Sequence, residues 1–160
     1  MRTLPNMTVV VPADESETEA VIEWAASYNG PVYVRLGRAG VDDVTTEGYS
    51  FVPGKSTILV DGSDATIIAC GALVGPAVEA SQTLSESNIS ARVINMASIK
   101  PIDAEAIIKA AAETGAIVTA EEHNIIGGLG SAVSEVVVSN KPVPMEFVGV
   151  QDTFGESGTP

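Results

Sequence analysis

The chain is predicted to be an α/β protein: a three-layer α/β/α sandwich around a mostly parallel five-stranded sheet, preceded by part of a second α/β domain. Three observations predict it. Hydrophobic residues make up 45% of the chain while aromatics make up 4%, so the core is built from Val, Ile, Ala and Leu. Such a composition favours strands buried on both faces beneath helices rich in small residues. Strand-like and helix-like segments alternate along the chain, which implies parallel crossover units with helices on both sides of a sheet. The two parts are unequal, with residues 57–150 holding five strands and three helices against two strands and one helix in residues 1–38.

The first part opens with Met7-Thr8-Val9-Val10-Val11, a β-branched run bounded by prolines and hence a short buried strand. Asp14 followed by Glu17 has the capping-box spacing, and Glu15, Glu17 and Glu19 suit the positive start of a helix. Val21, Trp24, Ala25 and Tyr28 fall at i, i+3, i+4 and i+7, one helical face, and Asn29-Gly30-Pro31 ends it. Val32 to Leu36 is the second strand. This β-α-β unit is too small to build a core. It is expected to pack on something outside the chain, as the tail of a larger α/β domain. The acids from Asp14 to Glu19 are expected to be a solvated helix start.

Residues 41–56 are polar and interrupted by Gly48, Pro53 and Gly54, and read as a linker with a short strand around Tyr49 to Val52. Residues 1–40 and 57–160 are then separate domains.

In the second part, Thr57 to Val60 and Thr66 to Cys70 are strands around an Asp61-Gly62-Ser63-Asp64 turn. Leu73, Ala77, Ala80 and Leu84 form a helical stripe, and Ala91 to Asn95 is the next strand. Asp103 is placed to cap a helix whose Ala104, Ile107, Ile108 and Ala111 face inward, with Thr114-Gly115 closing it. Ala116 to Ala120 is a strand, followed by a loop through Glu121-Glu122-His123. Leu129, Ala132, Val133, Val136 and Val137 make the last helical face, and Met145 to Val150 the last strand.

Charge excludes several classes of function. With 8 basic residues and 21 acids the net charge is −13, which opposes binding to nucleic acid or to an anionic membrane. No apolar run approaches the length of a membrane span, and the N-terminus lacks the apolar stretch of a signal peptide. One cysteine, Cys70, cannot form an internal disulfide, so a cytoplasmic location is expected.

Against that acidic background, Arg35-Leu36-Gly37-Arg38 stands out: two of eight basic residues, beside a glycine, at the end of a strand. Guanidinium forks presented this way suit phosphate. The plain alternative is a pair of surface arginines neutralised by nearby acids. Other candidates are weaker. His123 beside Glu121 and Glu122 lacks a second histidine to complete a metal site, and a structural or subunit contact is the simpler reading. Cys70 before Gly71 sits where a nucleophile is sometimes exposed, yet no second histidine is available as its base, which favours a small buried residue. Gly127-Gly128-Leu129-Gly130 misses the G-x-G-x-x-G spacing of dinucleotide sites, and its glycines are expected to let a helix pack close to its sheet.

In order along the chain, these segments resemble a known family. Leu4-Pro5-Asn6-Met7 to Pro12-Ala13-Asp14 and Gly30-Pro31-Val32-Tyr33 to Arg38 resemble the end of the pyrimidine-binding domain of transketolases. Ile99-Lys100-Pro101-Ile102-Asp103, and Val118-Thr119-Ala120-Glu121-Glu122-His123 to Gly127-Gly128-Leu129-Gly130-Ser131-Ala132-Val133, resemble their C-terminal domain. Phe154-Gly155-Glu156-Ser157-Gly158 is similar to that domain's end. The layout is most similar to the C-terminal section of a two-subunit transketolase, with deoxyxylulose-phosphate synthase and the β subunits of 2-oxoacid dehydrogenases as relatives of the same plan. The resemblance implies a thiamine diphosphate and Mg2+ enzyme that moves a two-carbon ketol unit between sugar phosphates. It implies that Arg38 grips the sugar phosphate, while Arg35, placed beside it as a second phosphate contact, has no firm counterpart in ordinary transketolases. The magnesium–diphosphate motif, the activating carboxylate and the substrate-binding histidines belong to parts not found here. The chain alone is therefore expected neither to bind the cofactor nor to act. It would need an N-terminal transketolase section as partner, with a further hundred or so residues upstream of Met1, and it would form a homo-oligomer. The other functional class is a non-catalytic domain that dimerises or docks a partner.

Overall fold

The computed structural model describes residues 1–46 and 48–156. Glu47, within the expected linker, and Ser157 and Gly158, within the expected domain end, lie outside the described residues.

A five-stranded sheet has the order β3-β5-β4-β7-β8. Its strands are β3 (Thr57–Val60), β4 (Ala65–Ala69), β5 (Ala91–Asn95), β7 (Ile117–Asn124) and β8 (Met145–Val150). All pairings are parallel except β3 with β5. Alternation along β4 divides the core between two faces. Ile67 and Ala69 point to the layer of helix α2 (Val74–Glu86), packing with Val74, Ala77 and Val93. Ile68 and Cys70 point the other way, into a cluster with Ile107 and Ala111 of α3 (Ala104–Thr114) and Leu129, Val133 and Val137 of α4 (Leu129–Asn140). Three layers result, as the alternation of elements predicts. Asp103 caps α3 by accepting from the Ala106 N–H at 3.2 Å, and Gly115 ends it with φ of 69°.

A second, three-stranded sheet has the order β2-β1-β6. Here the structure departs from expectation. Ser98–Lys100, expected only to lead into α3, forms strand β6 and pairs antiparallel with β1 (Thr8–Val10). The opening unit of β1, α1 (Glu15–Ser27) and β2 (Val32–Val34) is thereby docked on one side against its own chain. Val9 and Val11 join the α3–α4 core cluster, while Val10 packs with Val21, Phe51 and Ala97. Each fully buried valine contributes about 1.5–3 kcal/mol, so the docking is substantial. A three-residue strand has no periodicity to reveal it; only its partner does. The far side of the unit stays open, with Ile22, Tyr33 and Leu36 exposed.

Two further expectations are corrected. Residues 49–52 form no strand, because Tyr49 and Phe51 turn inward, Phe51 lying 5.1 Å from Trp24 between ring centroids. The acids at the start of α1 are not all solvated: Asp14 is 2% and Glu17 0% exposed. Burial is possible because both carboxylates are saturated with donors. Asp14 accepts from the N–H groups of Glu17, Val44 and Thr45, at 2.7–2.8 Å. Glu17 accepts from the Ala13 N–H, the Tyr49 hydroxyl and the Asn95 amide.

Candidate functional site

β5 and β7 lie on opposite sides of β4, so the chain reverses its direction of travel across the sheet at the β4–β7 junction. Open α/β sheets bind ligands at such a crevice, beyond the carboxyl ends of the strands. In this chain the crevice is roofed by the smaller sheet. An open cleft of about 250 Å³ is lined by Val11 and Pro12 after β1, Arg35 to Arg38 after β2, Cys70 to Ala72 after β4, and Glu122 of β7. Carboxyl ends of strands from both sheets converge there. Gly71 makes the close approach possible: its φ is +60°, and a Cβ would meet Val11 Cγ1 at 2.8 Å.

Both arginines singled out in the sequence line this cleft. The Arg35 N–H donates to Val10 O at 2.9 Å, which continues the β1–β2 ladder and fixes where the Arg35 side chain leaves the backbone. That side chain is half-buried, with Nη2 3.7 Å from Cys70 Sγ; Arg38 is exposed at the mouth. Among the described residues neither arginine forms an ion pair. By contrast Arg2 pairs with Glu135, Lys55 with Glu105, Arg92 with Asp61 and Glu113, and Lys109 with Glu113. In a chain of 21 acids, two neighbouring guanidinium groups without an ion-paired carboxylate make a local positive field open to solvent.

Cys70 forms the floor of the cleft. It is fully buried, and burial pushes its thiol up to about 12, with the positive charge of Arg35 opposing. A thiol so placed stays protonated and packs as a small apolar group.

Glu121-Glu122-His123 is strand, not loop: β7 runs on to Asn124. Glu121 and Glu122 therefore face opposite sides. Glu121 is 3% exposed and accepts the Gly130 N–H at 3.0 Å, so its carboxylate sits at the start of α4, where a negative charge is favourable. A Cβ on Gly128 would collide with that carboxylate, and one on Gly130 would collide with Phe147. The glycine cluster thus seats the chain's own carboxylate and brings α4 close to the sheet. A dinucleotide phosphate would have to displace Glu121. His123 Nδ1 lies 3.7 Å from Glu121 Oε2, and among the described residues no three His, Cys, Asp or Glu side chains converge as a metal site.

Sequence reasoning missed Glu122 as a cleft residue. Its place becomes visible only once β7 is extended past Ala120 and set opposite the Arg35–Arg38 turn, where a Cβ on Gly37 would lie 3.8 Å from Glu122 Oε2. It also missed the link from Glu17 to Asn95, whose partners are 78 residues apart.

Comparison with known proteins agrees with this architecture. The transketolase C-terminal domain family matches residues 54–160, and the transketolase pyrimidine-binding domain family matches residues 1–42. A subunit of an apulose-4-phosphate transketolase from Phocaeicola vulgatus is 48% identical over 95% of this chain and 49% of its own length. A 6-deoxy-6-sulfo-D-fructose transketolase subunit from Clostridium sp. is 43% identical over 99% of this chain and 49% of its own. A solved split-gene transketolase, described as an inactive β4 tetramer, superposes with a TM-score of 0.93 at 52% identity, over 95% of this chain and 51% of that one. The chain spans about half the length of the curated relatives it matches. On the match of its C-terminal two thirds and on these identities, the chain belongs to the transketolase family.

Proposed function

We propose that this chain is the C-terminal part of a thiamine-diphosphate-dependent transketolase, which transfers a two-carbon ketol unit between sugar phosphates only when joined to the remaining domains. Residues 1–40 are the end of its pyrimidine-binding domain, 41–56 a linker and 57–160 its C-terminal domain; the family matches at 1–42 and 54–160 support that division. The observation that carries the reading is the pair of unneutralised arginines at the carboxyl ends of the strands. Arg38 and Arg35 hold the anionic end of the substrate, and that remote contact orients the distant carbon that reacts. The two curated relatives act, by their names, on a sugar phosphate and a sulfo-sugar, and each of those molecules carries an anionic group for such a pair.

Thiamine diphosphate and Mg2+ belong to the complete enzyme and are held by its other domains. The partner is an N-terminal transketolase section, and the assembly is a homo-oligomer of such pairs in the cytoplasm. The solved relative that forms a β4 tetramer without activity supports the need for a second section. Among the described residues no helix is long and apolar enough to cross a membrane.

The test is reconstitution. This chain is mixed with a section bearing the magnesium–diphosphate motif, and ketol transfer from a ketose phosphate to an aldose phosphate is followed. Activity only in the mixture is expected. Activity of this chain alone, or none in a mixture that forms a stable complex, rejects the proposal.

A further inference from the structure

Glu122 is the acid of the arginine cleft, and the proposed function leaves it without a role. It is exposed on β7 and lines the same cleft as Arg35 and Arg38, and a Cβ on Gly37, between them, would lie 3.8 Å from its Oε2. Among the described residues it accepts no hydrogen bond and makes no ion pair, so it is not bound to either arginine. The cleft thus presents two free guanidinium groups and one free carboxylate to whatever enters. Their formal sum is +1, which matches one negative charge rather than two.

We infer that Glu122 is a specificity-determining residue that lowers the cleft's preference for phosphate over sulfonate. The inference rests on the anion-binding role proposed above for Arg35 and Arg38. Near neutral pH a phosphate monoester is mostly a dianion, because its second ionisation lies near pH 6. A sulfonate carries one charge at every such pH. Both are tetrahedral oxyanions and offer the same three oxygens to the arginine forks. What separates them in this cleft is charge. Coulomb repulsion from Glu122 scales with the charge of the ligand, so it opposes a phosphate twice as strongly as a sulfonate. Without Glu122 the arginines would favour the dianion more steeply.

The test uses the whole chain, with methyl phosphate at pH 8 as the dianion and methanesulfonate as the monoanion, at low ionic strength where exposed charges are least screened. Binding is read from the side-chain N–H resonances of Arg35 and Arg38 during titration. Glu122 is exposed, so Glu122→Gln is expected to keep the wild-type fold, checked by its amide spectrum. Removal of one repelling charge is expected to tighten methanesulfonate about twofold and methyl phosphate about fourfold, the square of the first factor because the repulsion energy doubles. Glu122→Asp keeps the charge and is expected to keep the wild-type ratio of the two constants. An unchanged ratio in Glu122→Gln, or weaker methyl phosphate binding, overturns the role of Glu122 and leaves the arginine site standing. No saturable shift at either arginine in the wild-type chain removes the anion site itself, and this inference with it.

Discussion

Asn95 on β5 aims its amide at both carboxylate oxygens of Glu17 on α1, at 2.9 and 3.0 Å, across the seam between the two sheets. The same carboxylate takes the Tyr49 hydroxyl at 2.6 Å and the Ala13 N–H at 2.7 Å. Three segments of the chain therefore meet on one buried acid: the start of α1, the residues after position 40, and the main sheet. Burial pushes the Tyr49 phenol well above its ordinary value, and the Glu17 charge adds to it. That phenol stays a donor at any working pH. Ala13 and Pro12 sit beside the arginine cleft, so this knot also fixes one of its walls.

Replacing Asn95 with Asp tests the knot. Two buried carboxylates would then face each other where an amide now donates twice. A loss of about 2–4 kcal/mol at pH 7 is expected, from the lost bonds and the like-charge contact. Repulsion raises the folded-state ionisation of the pair, so the loss should shrink as pH falls and one carboxyl takes up a proton. Urea unfolding at pH 7 and pH 5 measures this; an equal deficit at both values contradicts it.

Asp14 gives the acid limb of stability. Burial works against its charged form, but the N–H groups of Glu17, Thr45 and Val44 outweigh it and hold the carboxyl below its ordinary 3.8. A carboxyl depressed by folding stabilises the protein fully above its unfolded value and loses that contribution as pH falls through the lower, folded one. Asp14→Ala is therefore expected to cost about 1–2 kcal/mol at pH 7, the usual worth of an N-cap. The gap from wild type should narrow as pH falls through that lowered folded value, where the wild-type chain loses its charge at this position. Midpoints of denaturation across pH 2–7 that run parallel in the two chains would contradict this role.

Arg38 carries the functional proposal. In the reconstituted enzyme, Arg38→Ala is expected to raise KM for a phosphorylated ketose about 10- to 100-fold, the worth of a charge-assisted contact of roughly 1.5–3 kcal/mol. Affinity for thiamine diphosphate should not change, because the proposed function assigns its site to the other domains. An unchanged KM removes Arg38 from the substrate site.

Gly62 and Gly40 are alike in sequence and unlike in space. A Cβ on Gly62 would strike the backbone of Ala91 and Arg92, with Ser90 O at 2.7 Å, whereas one on Gly40 would meet nothing within 4 Å. Gly62→Ala is expected to lose about 1–3 kcal/mol and Gly40→Ala less than about 0.5 kcal/mol. Thermal unfolding of the two variants side by side settles it.

The five strands and three helices of the larger part, the cap at Asp103 and the αL stop at Gly115 were legible because each depends on neighbours within a few residues. Periodicity and capping are local physics, and an acidic chain with two clustered arginines is local composition. The family resemblance was legible for the same reason, as ordered short segments. Beyond that reach the structure decided. Ser98–Lys100 became a strand only because β1 lies beside it, and Glu17 could be buried only because Asn95 and Tyr49 bring it donors. Glu122 entered the arginine cleft only because β7 runs on past Ala120. The first two turn on pairings between residues 32 to 91 apart, whose free energy comes from burial and saturated hydrogen bonds that no window of sequence contains.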